Sequence, residues 1–156
     1  MQHRHARSSA QTGMTLIELL IVLVIVGILA GVAWPSFREA VHKSRRADAM
    51  SALTEIMQAQ ERWRANNPAY KAALTSPVLA GTRTTSQAGH YALSITDNSA
   101  TATAYTATAT VVTGSAQASD TPCQVMRVVV NGGNIGYTSG ASSDVTNGQP
   151  DPCWVR

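Results

Sequence analysis

An apolar run near the start constrains this chain more than any other feature. "GMTLIELLIVLVIVGILAGVAW", Gly13 to Trp34, carries one charge, Glu18, and Leu19 to Trp34 is sixteen residues with none. From Met14 the run is twenty-one residues, about 30 Å of helix at 1.5 Å per residue, which matches a bilayer's hydrocarbon core. A secretory signal peptide would have a shorter apolar run followed by a small-residue cleavage site. Here the chain passes instead through Trp34-Pro35 into a charged helical pattern, so a membrane anchor is expected. Glu18 is expensive in such a segment and calls for a partner. No basic residue lies between Arg7 and Arg38. A cut between Gly13 and Met14 would supply one, because the new α-amino group stands four residues before Glu18 on the same helix face.

Beyond the anchor, Phe37, Ala40, Val41, Ser44, Ala47, Met50, Leu53, Met57 and Trp63 recur every three to four residues. This spacing predicts a helix with one buried stripe. Arg38, Glu39, Lys43, Arg45, Arg46, Asp48, Glu55, Glu61 and Arg62 then fall mainly on other faces. Pro68 disfavours helical geometry in the residue before it, so the pattern ends at Asn66 to Pro68. Pro35 is expected to bend the helix or interrupt its hydrogen bonding. Residues 67–89 read as a connecting loop, with a short helix near Tyr70 to Leu74.

The remaining segment, 90–156, reads as strands. "HYALSIT" places Tyr91, Leu93 and Ile95 on one face, and "TAYTATATVV" does the same for Tyr105, Ala107, Ala109 and Val111. The Thr/Ala phase flips at Tyr105, which marks a bulge or the strand's true start. "QVMRVVV" and "IGYTS" flank Asn131-Gly132-Gly133-Asn134, a hairpin signal. Ser139 to Arg156 reads as a loop.

The only cysteines are Cys123 and Cys153. Two free thiols or a metal site are the alternatives to a disulfide, but no CxxC pair or nearby His accompanies them. A disulfide is therefore expected, and with it an oxidising compartment. The net charge is +3, yet Arg4 and Arg7 precede Gly13, leaving ten basic against nine acidic side chains. That balance is no broad polyanion-binding signature. His42 and His90 stand beside no pattern of nucleophile, acid or metal ligands, and no phosphate loop is present, so no enzyme activity, catalytic residue, metal or cofactor is expected. Basic residues on both sides of the anchor make the positive-inside rule point the C-terminal part inward. The expected disulfide points it outward, to the periplasm.

"G-M-T-L-I-E" followed by the apolar run resembles the class III signal of type IV pilins and related pseudopilins. The resemblance implies a leader, residues 1–13, removed by a prepilin peptidase between Gly13 and Met14, with N-methylation of Met14. It makes Glu18 the charge-pairing glutamate of assembly, and Gly27 and Pro35 the helix-loosening positions. "AWPSFREAVHKSRRADAMSALTEIMQAQERWRANNPAY", "ASDTPCQVMRVVVNGGNIGYTS" and "DPCWVR" are similar to PilE-like minor pilins.

The implied fold is α+β. A long N-terminal helix, with an anchoring part at 14–35 and an amphipathic part at 36–66, packs on a four-stranded antiparallel sheet, and a C-terminal loop is closed by the disulfide. The implied function is a structural subunit, a minor pilin, of a type IV pilus. Its partners would be other pilin subunits, the prepilin peptidase, the inner-membrane assembly platform and, before assembly, membrane lipid. The protein would sit in the inner membrane and then in the extracellular fibre. A major pilin or secretion pseudopilin shares these features. The alternative of another class is a ComP-like DNA receptor, whose surface would be the loop between the cysteines together with the connecting loop. Those regions offer Lys71, Arg83 and Arg127 before the terminal Arg156, few cations for phosphate contacts.

Overall fold

The computed structural model describes residues 13–75, 78–141 and 151–154. One helix, α1 (Leu16–Arg64), is followed by strands β1 (Tyr91–Ile95), β2 (Ala104–Val111), β3 (Val125–Asn131) and β4 (Asn134–Gly140), with a short 3₁₀ turn at Thr121–Cys123. The chain divides into two units, 1–38 and 39–156.

In the first unit every described residue is exposed, from Leu16 at 77 % to Phe37 at 66 %. The helix is long and apolar enough to cross a membrane, and none of its apolar window is buried. Helical geometry continues through Pro35, although that residue has no N–H to donate to the carbonyl of Gly31.

In the second unit the strands form an antiparallel meander, β1-β2-β3-β4. The register places Leu93 opposite Ala109, Ala107 opposite Val128, and Tyr105 opposite Val130. Tyr91, Leu93 and Ile95 alternate buried with exposed neighbours, as the two-residue period requires. β2 begins at Ala104, so the phase flip at Tyr105 is the strand's start. Gly132 and Gly133, at φ +56° and +83°, form the two-residue turn between β3 and β4. That geometry is the primed turn, whose twist matches the flanking strands.

The helix buries Leu53 of the expected stripe, together with residues beside that stripe. Ala49, Ala52, Leu53, Ile56 and Ala59 enter the core with Tyr91, Tyr105, Met126 and Val128. Ala40, Ser44 and Ala47 are exposed, whereas Met50, Met57 and Trp63 flank the core half-buried. The alanines leave room beside them for the two buried tyrosine rings. Burial of polar residues completes the shift.

Arg46, assigned by its charge to an outer face, is 3 % exposed, as is its partner Asp120. Arg46 Nε and Nη2 each donate to one carboxylate oxygen of Asp120 at 2.7 Å, a two-point pairing. Gln117 Nε2 donates to the same carboxylate at 2.7 Å, and its Oε1 lies 3.2 Å from His42 Nδ1. The hydrogen bond to Asp120 raises the Arg46 pKa above its ordinary value, outweighing desolvation.

Gln60 is also fully buried. Its amide donates to the Lys71 carbonyl and accepts from the Lys71 N–H, both at 2.8 Å. These bonds hold the backbone at Lys71 in place of a helical turn, and residues 70–74 contain no helix. The connecting loop also reaches the sheet, where Thr85 pairs with Ala92 of β1.

Two outcomes follow for stability. Arg46→Ala leaves a buried carboxylate without its cation and should cost about 3–5 kcal/mol, measured by denaturant unfolding of the protein in detergent. Replacing both partners by apolar residues, Arg46→Met with Asp120→Leu, should recover most of that loss; a single-variant loss below about 1 kcal/mol would contradict the assignment. Burial also pushes the Tyr91 phenol from 10.0 up to about 12. The folded state therefore favours the neutral phenol, so this contribution is present below pH 10.0 and lost as pH rises through about 12. Tyr91→Phe should flatten the fall of the unfolding midpoint across that interval.

Candidate functional site

The N-terminal segment concentrates the residues expected to serve processing and assembly. Gly13 and Met14 precede α1, and both are exposed. Thr15 accepts from the Glu18 N–H through Oγ1 at 3.3 Å, and from the Leu19 N–H through its carbonyl at 3.2 Å. Thr15 therefore acts as the N-cap, and Glu18 stands three residues on, the Thr-x-x-Glu spacing of a capping box. The signal is present in the sequence as "TLIE". It gives Glu18 a local reason for its position, because a carboxylate in the first turn opposes the helix macrodipole. Gly27 is exposed, with no atom within 4 Å of where a Cβ would stand. Nothing within the single chain thus requires glycine there. The remaining residues of the expected leader, 1–12, lie outside the described residues.

The C-terminal region is closed by the disulfide Cys123–Cys153, with both residues about 1 % exposed. β4 runs to Gly140, past the expected loop start at Ser139; the part of that loop at 142–150 lies outside the described residues, and residues 151–154 lie beside β4. Asp151 accepts from the Ser139 hydroxyl and, at 2.9 Å, from the Cys153 N–H. Trp154 Nε1 donates to the Thr138 carbonyl at 3.1 Å, and its ring lies 4.7 Å from that of Tyr137. Arg46 Nη1 reaches the Pro152 carbonyl at 3.5 Å. The disulfide and the buried ion pair therefore fasten the same segment.

The basic residues considered for DNA contact are not gathered into one patch. Lys71 Nζ lies 4.7 Å over the Trp63 ring, and Arg83 lines a recess beside Asp48 and Glu55. Arg127 stands on the sheet between Thr108 and Thr138 of the adjoining strands. Arg156 lies outside the described residues. His42 is bound to Gln117, and the His90 carbonyl accepts from Val112 N–H at 2.9 Å.

An N-terminal apolar helix, a second helical stretch packed on a four-stranded antiparallel sheet, and a C-terminal disulfide define the type IV pilin fold. A family model described as type IV minor pilin ComP, DNA uptake sequence receptor, matches residues 35–127, more than half of the chain, and the chain belongs to that family. The prokaryotic N-terminal methylation motif matches residues 8–34. The chain is 38 % identical over 78 residues to the type IV major pilin protein PilE1 of Neisseria gonorrhoeae, covering 46 % of this chain and 36 % of the relative. It is 38 % identical over 72 residues to the fimbrial protein EcpC of Eikenella corrodens, covering 42 % and 47 %. Over 37 residues it is 51 % identical to the type IV major alpha-pilin of Moraxella bovis, covering 24 % and 23 %. In each comparison the match spans less than half of the relative's length.

Proposed function

We propose that this protein is a structural subunit, a minor pilin, of a type IV pilus. The observation that carries the reading is the union of a methylation motif over residues 8–34 with an apolar helical segment that the protein's own fold leaves entirely uncovered. In water such a surface is unfavourable; a bilayer and then a fibre core of similar helices both cover it. Pilins as a family are structural proteins rather than enzymes.

In this reading a prepilin peptidase cuts between Gly13 and Met14, and Met14 is N-methylated. The α-amine it creates is the partner that Glu18 lacks. Before assembly Glu18 meets the amine of its own chain; within the fibre it meets a neighbour's, and the cost of an unpaired carboxylate in an apolar core sets the register. Gly27 and Pro35 ease the helix into that packing. The inner-membrane assembly platform receives the processed subunit, with residues 39–156 in the periplasm. The disulfide supports that orientation, because it needs an oxidising compartment.

A second reading, a DNA receptor on the pilus, is favoured by one specific observation, the description of the matching family model. The match stops at Arg127, before β4 and Cys153, and the dispersed cations give it little electrostatic support.

For the first reading, Glu18→Ala should still insert and lose its leader, while its amount in sheared pili, counted by quantitative mass spectrometry, falls about tenfold or more. Wild-type incorporation of that variant would remove the pairing mechanism. The second reading requires the purified full-length protein in detergent to retard duplex DNA at low salt, with the shift lost as salt rises; absence of a shift at low salt excludes it.

A further inference from the structure

The C-terminal end of α1 carries a cleft at the edge of the core. It has a volume of about 350 Å³ and is lined by Ala59, Trp63 and Leu79 together with Arg62, Asn66 and Asn67. That volume falls within the range of small-molecule sites, which combine an apolar surface with a few polar groups. Ala59 and Leu79 are almost fully buried and form the floor beneath the cleft, while the exposed Ala80 offers an apolar surface. The half-buried Trp63 adds an aromatic one.

The rim is shaped by commitments within the fold. Asn67 Nδ2 donates to the Trp63 carbonyl at 2.8 Å, closing the helix end. Arg64 is occupied by the carbonyls of Ala102 and Asn67, and Glu61 by the Tyr70 hydroxyl. Arg62 has a different setting. Its guanidinium lies against Gly81, 3.1 Å from where a Cβ would stand, and it is engaged by no carboxylate among the described residues. The Lys71 ammonium over Trp63 adds a second positive charge nearby.

We propose that this cleft binds one acidic sugar residue, a pyranose bearing a carboxylate, of the uronic-acid class. The apolar C–H face of the ring packs on Trp63 and Ala80. The carboxylate meets the Arg62 fork, the pairing in which guanidinium is strongest. Asn66 offers both a donor and an acceptor to ring hydroxyls. A duplex polyanion fits less well, since affinity for it comes from many phosphate contacts and Arg62 is the one cation among the residues that line the cleft.

The full-length protein in detergent micelles, titrated calorimetrically with methyl glucuronide, should show saturable binding. Methyl glucoside, which lacks the carboxylate, should bind about tenfold more weakly or worse. Arg62→Gln should weaken the glucuronide by a similar factor, with Arg62→Lys intermediate; both variants are expected to keep the wild-type circular dichroism spectrum, because Arg62 is exposed. Trp63→Phe should retain weakened binding without opening the core. No saturable glucuronide binding, equal binding of the two sugars, an unaffected Arg62→Gln, or binding of a short unrelated duplex alone would each overturn the proposal.

Discussion

The globular unit depends on a buried charge pair that links distant parts of the sequence. Arg46 lies on α1 and Asp120 lies 74 residues later, just before the first cysteine. Two charges removed from water are tolerable only when geometry and further hydrogen bonds satisfy them. Here the guanidinium fork, Gln117 and the Pro152 carbonyl supply those bonds. Removing either charge would leave the other buried, so the pair specifies how the helix, the segment before β3 and the disulfide-closed end meet. Alanine at 49, 52 and 59 then permits close helix–sheet packing around Tyr91 and Tyr105.

Much of this architecture was legible in the sequence because it follows local periods. The alternation of Tyr91, Leu93 and Ile95 and the double glycine at 132 and 133 each needed only nearby residues, while two cysteines leave a single possible pairing whatever their separation. The buried line of α1 did not. Arg46 reads as a surface charge until Asp120 is beside it, and the burial of Gln60 depends on the Lys71 backbone it bonds. Both partners come from tertiary structure that a helical period does not encode. The fragments "RRADA" and "SDTPC", which carried part of the family resemblance, turn out to contain the two ends of the buried pair.

The N-terminal segment illustrates a signal that was visible but overshadowed. Thr15 and Glu18 have capping-box spacing, and Thr15 does cap the first turn. Glu18 is thereby placed where a helix favours negative charge. The proposed pairing with the Met14 amine uses that same end of the helix, so capping and assembly are compatible demands on one residue. Burial offers no comparable guide here, because every described residue of this segment is exposed in the single chain. Its role is set by what covers it elsewhere.

The central claim is that this chain is cut after Gly13, methylated and carried into a fibre. Mass spectrometry of the N-terminal peptide from sheared, washed pili tests it most directly. The account predicts a peptide that begins at N-methylated Met14 and comes from the fibre fraction. A protein confined to the membrane, or one that retains residues 1–13 in the fibre, would contradict it.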